Sequence, residues 1–187
     1  MVIPSSTPKD EPMHTGPTFT AWQFAAKAQI TLSTLQAFHY HAADQELKHL
    51  IDDLMDQTQR GIKDCDKLLR AEGIPPFPPL PDRLSVKPAE IPSGARLSDL
   101  EIAAALSGVI SMSLAESSQL MNMSIRADHT ALFMKIHAAL AASGLALLKI
   151  NKHKGWLPPL PFPFRSNSRS SFTPEPFVSI LRQAGFF

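Results

Sequence analysis

Cysteine is almost absent from this chain, and so is any excess of charge of one sign. One cysteine, Cys65, in 187 residues leaves no intrachain disulfide framework and fits a reducing compartment. Lys and Arg number 18 and Asp and Glu 17, so the basic excess of a dedicated nucleic-acid binder is missing and no such partner is expected. The opening MVIPSSTPKDEPMH lacks a basic segment followed by an apolar run, so no secretory leader is expected. The longest apolar run, Ala138 to Leu148, is too short to cross a bilayer and contains Ser143 and Gly144, so no membrane span is expected. Glycine-rich phosphate loops, zinc-ligand spacings and a Ser/His/Asp context are missing as well. These absences point to a cytoplasmic protein and favour a non-enzyme, with enzymatic activity left open.

What the chain does have is a phrase used twice. Residues Leu68 to Pro81 read LLRAEGIPPFPPLP, and Leu148 to Pro163 read LKINKHKGWLPPLPFP. Each phrase takes a helical stretch into a glycine stop and then a proline run that cannot continue a helix. Sliding the second helix 82 positions superposes Leu47 on His129, Ile51 on Phe133 and Gly73 on Gly155. The pattern predicts an internal duplication of two helix hairpins, each closed by a proline-rich strap. Seventeen prolines in 187 residues is high, and they cluster outside the expected helices.

The spacing of apolar residues places the elements. A first helix is expected from about Phe19 to His41, and a second from an Asp44 N-cap to Ala71, with Gly73 ending it. The core stripe of the second reads Leu47, Ile51, Leu54, Thr58, Gly61, Cys65 and Leu68. Ser98 with Glu101 three residues later is a capping box opening the third helix, whose stripe runs Ile102, Leu106, Val109, Ser113, Glu116, Leu120 and Met123. Asp128 is expected to cap the fourth, with His129, Phe133, Ile136, Leu140, Ser143, Leu147 and Ile150 inward. Methionines 112, 121, 123 and 134 read as gap-filling core. The domain layout is an irregular arm at 1–17, a four-helix bundle at 18–164 and a tail at 165–187. Short links within each hairpin and a long one between them give a ferritin-like connection, all-α.

That architecture raises the question of two bound metal ions, iron or manganese. A full site takes a Glu from each of two helices and a Glu-x-x-His from each of the others. Here Glu46 and His49 match Glu-x-x-His, but in the first turn of their helix, where the dipole favours Glu46 for structural reasons alone. Glu116 lies on a core stripe and needs a partner, for which Gln29, Gln36, His39 and His137 are candidates. Two ligand sets are missing, so an intact di-iron oxidase is not expected. The alternatives are a metal oxidase or storage protein using Glu116, Glu46, His49, His39 and His137, or a small-ligand bundle with Gln29, Gln36, His39 and Glu116 lining a pocket.

The stretches HAADQELKHLIDDLMDQTQRGIKDCDKLLRAEGIPPFPPLP and SSQLMNMSIRADHTALFMKIHAALAASGLALLKINKHKGWLPPLPFP carry a family resemblance. Over residues 18–164 the chain resembles an uncharacterised ferritin-like family of endospore-forming Firmicutes, distantly similar to spore coat protein F. The resemblance implies a non-enzymatic structural or stress- and sporulation-associated protein, spore-associated in place, with no catalytic residues to carry over. Family members often hold the unit twice in tandem. With one unit here, and with Phe177, Ile180, Leu181 and Ala184 on one face of an expected tail helix, a homodimer is expected.

Overall fold

The computed structural model describes residues 15–81, 90–124 and 126–157. The arm before Thr15, the proline run after the fourth helix and the expected tail helix lie outside them. Four helices account for the regular structure, and no strand occurs among the described residues. They are α1 (Thr15–His41), α2 (Gln45–Ala71), α3 (Asp99–Met123) and α4 (Ala127–Lys154), with a 3-10 turn at Ser93–Ala95.

Local chemistry sets the ends. Asp44 accepts the Leu47 N–H at 3.0 Å and starts α2. The capping box of α3 is present: the Ser98 N–H donates to Glu101 at 2.8 Å and the Glu101 N–H donates back to the Ser98 hydroxyl. Gly73 and Gly155 both take the left-handed conformation, φ 72° and 69°. The next residue's N–H then turns back onto the helix, Ile74 to Leu69 and Trp156 to Asn151.

Two boundaries differ from the sequence expectation. Helix α1 begins at Thr15, inside the expected arm, because Pro17 falls in the first turn, where a missing N–H breaks no helical bond. Arg126, not Asp128, is the N-cap of α4, and its side chain makes no cap hydrogen bond. Asp128 is one residue inside the helix, accepting from the His129 N–H and the Arg126 guanidinium. That guanidinium also meets Glu72 at the end of α2, so it clamps two helix ends together while only 7% exposed. An arginine fork in that position satisfies two carboxylates at once.

The helices form a square in which α1 packs on α2 and α3, and α4 packs on α2 and α3. The parallel pair α2 and α3 is diagonal, which the long connection permits. At one end the Asp99 carboxylate accepts the Ala43 N–H, His41 accepts the Leu97 N–H, and Lys154 meets Asp44 at 2.6 Å. The core comes in two parts. Leu35, Leu47, Ile51, Leu54, Ile102, Leu106 and Leu147 fill that end, and Phe24, Ala28, Ile62, Cys65, Leu120 and Phe133 fill the other. Phe77, just beyond α2, stacks edge-on against Trp22. Each large side chain buried this way contributes about 1.5–3 kcal/mol.

The inward stripes are partly other than expected. In α2, Leu69 rather than Leu68 is fully buried. In α3, Ile110 and Ser117 face inward, while Met123 is 51% exposed. Met112 and Met134 are exposed too, so they fill no core gap, and of the four methionines only Met121 packs against a cluster. The physical reason in α3 is that the helix is apolar on both faces, so hydrophobic spacing does not tell inside from outside. In α4 the buried residues His129, Phe133, Ser143 and Leu147 all fall on the expected stripe.

His129 is fully buried against Phe133, and neither ring nitrogen has a hydrogen-bond partner among the described residues. Burial holds its pKa below the ordinary value, against the pull of the adjacent Asp128. The unfolded chain therefore binds a proton that the folded chain refuses once pH falls below about 6.5, and stability declines from there downward. The melting temperature of the native chain should drop between about pH 7.5 and about pH 5.5, by roughly 2–4 °C for each kcal/mol lost. In His129→Leu that slope should flatten; an unchanged slope in thermal melts would show that another group sets it.

Candidate functional site

Between the two halves of the core the helices leave a cavity of about 330 Å³. All four helices line it. Its body is apolar, made by Phe24, Ala28, Ile136, Ala139 and Leu140, and Gly61 contributes no side chain. A Cβ on Gly61 would lie 3.7 Å from Ile136, so a methyl group fits but a larger side chain there would enter the void. Thr31, Thr58, Gln57 and Ser113 add polar groups to the wall.

Charge sits at two opposite seams. Lys27 of α1 meets Glu116 of α3 at 2.6 Å, and Lys135 of α4 meets Asp64 of α2 at 3.2 Å. The Lys135 ammonium, and then Lys67, hold the Asp64 carboxyl below the usual carboxylate range. Arg60 also lines the cavity, is exposed, and makes no ion pair among the described residues. Lys27 and Lys135 are 61% and 73% exposed, so both seams open to solvent.

The five metal candidates do not converge. Glu116 pairs with Lys27 rather than with Gln29, Gln36, His39 or His137, because it faces the seam between α1 and α3. His137 lies 2.9 Å from the Ser117 hydroxyl. His39 is 3.2 Å from Asp52, and with Gln36 it borders a separate hollow between α1 and α2. Glu46 lies near His153 and Lys154 at the bundle end, and His49 is exposed. Gln29 borders neither the cavity nor the hollow. Among the described residues no three His, Cys, Asp or Glu side chains come together as a metal-binding group. Of the expected lining residues, only Glu116 reaches the cavity.

Cys65 is fully buried, and burial together with Asp66 and Asp64 pushes its thiol up to about 12. It holds no thiolate near neutral pH. Sequence reasoning missed Lys27, Arg60, Asp64 and Lys135. A signal for two of them was present: Lys27 is the sole Lys, Arg, Asp or Glu in α1, and Lys135 the sole one between Asp128 and Lys149.

Elemental analysis of protein purified without chelator is expected to find iron and manganese well below one ion per chain. One or two ions per chain, lost in Glu116→Ala, would overturn that.

The comparisons fit this geometry. A solved protein of Bacillus halodurans, provisionally described as a spore coat protein, is 36% identical and superposes with a TM-score of 0.79, over 83% of this chain and 98% of its own. A two-domain Anabaena variabilis protein with DJ-1/ThiJ/PfpI-like and ferritin-like domains matches with a TM-score of 0.58 at 19% identity, over 84% of this chain and 40% of that one. At that identity the likeness concerns the fold alone, a ferritin-like bundle. The uncharacterized protein YvdQ of Bacillus subtilis (strain 168) is 34% identical over 163 residues, 86% of this chain and 95% of that protein. With residues 1–167 matching its model as well, the chain belongs to the family of proteins of unknown function DUF3231.

Proposed function

We propose that the chain is a non-enzymatic structural protein, associated with sporulation, that works by lying against a second copy of itself. The observation that carries this reading is the uncharged outer face of the α3–α4 hairpin. Between Glu101 and Glu116 the third helix has no charged residue, and between Lys135 and Lys149 neither has the fourth. Yet Met134 and Leu145 are 59% and 62% exposed. Both helices are long and apolar enough to cross a membrane by length and composition, and most of each such window is not buried. A monomer gains nothing from such a surface.

A second copy fits that face better than a bilayer does. A helix pair of this length presents a surface about 37 Å long and roughly 20 Å wide, near the ~800 Å² per partner of a stable interface. The outward positions of α3 include the small Ala104, Gly108, Ser111 and Ala115 beside the exposed Met112, whereas α4 offers Met134, Leu145 and Leu148. Twofold pairing sets each ridge into the other copy's groove. Crossing a membrane would instead strip water from Glu116 and Lys135. The provisional spore coat description of the Bacillus halodurans relative supports the sporulation assignment. A second reading, a small-ligand bundle, is favoured by the cavity.

Light scattering should give about twice the chain's 20.5 kDa. Leu145→Glu combined with Met134→Lys should give a helical monomer. A native chain that stays monomeric on concentration, or floats with phosphatidylcholine vesicles, would refute self-association. A fluorescent fusion in an endospore former should concentrate at the forespore or spore, and uniform vegetative signal with no sporulation-stage change would refute the placement.

A further inference from the structure

The middle stretches of three helices are nearly devoid of charge, and the exceptions there meet in one place. Lys27 in α1, Glu116 in α3 and Lys135 in α4 each stand alone within a long uncharged stretch, and all three line the cavity between the two core clusters. The two ion pairs face each other across the bundle, Lys27 with Glu116 on one side and Lys135 with Asp64 on the other. Between them the wall is mostly apolar, with Thr31, Gln57, Thr58 and Ser113 as its uncharged polar residues.

We propose that this cavity is a binding site for a medium-chain monocarboxylate, whose alkyl body lies across the bundle and whose head is held by Arg60 at the seam between α2 and α4. The charge count supports an anion. Lys27, Arg60 and Lys135 face Asp64 and Glu116 in the lining, which leaves one positive charge over, and Arg60 is the lining cation without an ion-pair partner among the described residues. A guanidinium presents a planar fork that a carboxylate meets with two parallel hydrogen bonds, the geometry of a single anionic head. A doubly charged phosphate would need a second free cation, but Lys135 and Lys27 already neutralise carboxylates.

Size supports the body. At roughly 30 Å³ for each water-sized group, a cavity of 330 Å³ takes about ten such groups. That volume lies at the lower limit of ordinary ligand pockets, so short acids leave it unfilled and long ones protrude. The site is independent of the self-association face, which lies on the outer side of α3 and α4. Failure of one therefore leaves the other standing.

The experiment is titration calorimetry of the full chain with decanoate, decanol, decylamine and butanoate. Decanoate should bind at one per chain, at least tenfold tighter than decylamine or butanoate, and raise the melting temperature. Arg60→Gln, an exposed change that breaks no ion pair, should weaken decanoate at least fivefold and leave decanol unaltered. Ala139→Leu should abolish both by filling the void, with circular dichroism showing the helices intact. Equal binding of decanoate and decylamine, or decanoate binding unaffected by Arg60→Gln, would overturn the head-group assignment. No heat and no thermal shift with decanoate or decanol would overturn the site.

Discussion

Uneven distribution of charge among the helices is the constraint on which the rest of the structure depends. Helix α2 carries a dense charged outer surface, with Asp52, Asp53, Asp56, Arg60, Lys63 and Lys67 along it. It is the one helix whose sequence separates cleanly into an apolar and a polar side, and eight of its residues are buried. The other three have little charge to spend. Between the two core clusters the inward faces of α1 and α4 narrow to small residues, so a void is left where Ala28 and Ala139 meet Gly61 of α2. Their outward faces stay apolar. Void and bare face are two results of one economy in charged residues.

Polar chemistry compensates at the ends. One end is closed by the Asp44–Lys154 pair and by the bonds from Ala43 to Asp99 and from Leu97 to His41. The other is closed by Arg126 between Glu72 and Asp128. Each uses side chains to satisfy loop or helix-terminal groups that the helices leave open. Such contacts fix which helices are neighbours, whereas apolar packing alone tolerates several arrangements.

What was legible in the sequence was local. Asp44, the Ser98–Glu101 box, Gly73 and Gly155 act within one helical turn, so four residues of sequence contain the whole signal. The all-α bundle with a long central connection followed from those stops. The inward face of α4 was legible, since its buried His129, Phe133, Ser143 and Leu147 all lie on the expected stripe. That of α3 was legible only in part, because a helix apolar on both faces has little phase to read. Arg126 escaped notice because its clamp joins residues 54 positions apart in sequence. The candidate ligands of the metal alternative lie apart for a related reason: Glu116 meets Lys27, and nothing in the spacing of either residue names the other. The void itself depends on side-chain size summed over four helices, which no single stripe encodes.

The Asp44–Lys154 contact bears on how the chain comes together. Asp44 is the residue that starts α2, yet it shares its carboxylate with the last residue of α4. Its carboxyl is held below the usual range chiefly by that lysine. A nascent chain leaving the ribosome exposes Asp44 long before Lys154 has been made. The first hairpin must therefore wait, with its corner open to water, until the final turn of the last helix arrives to close it.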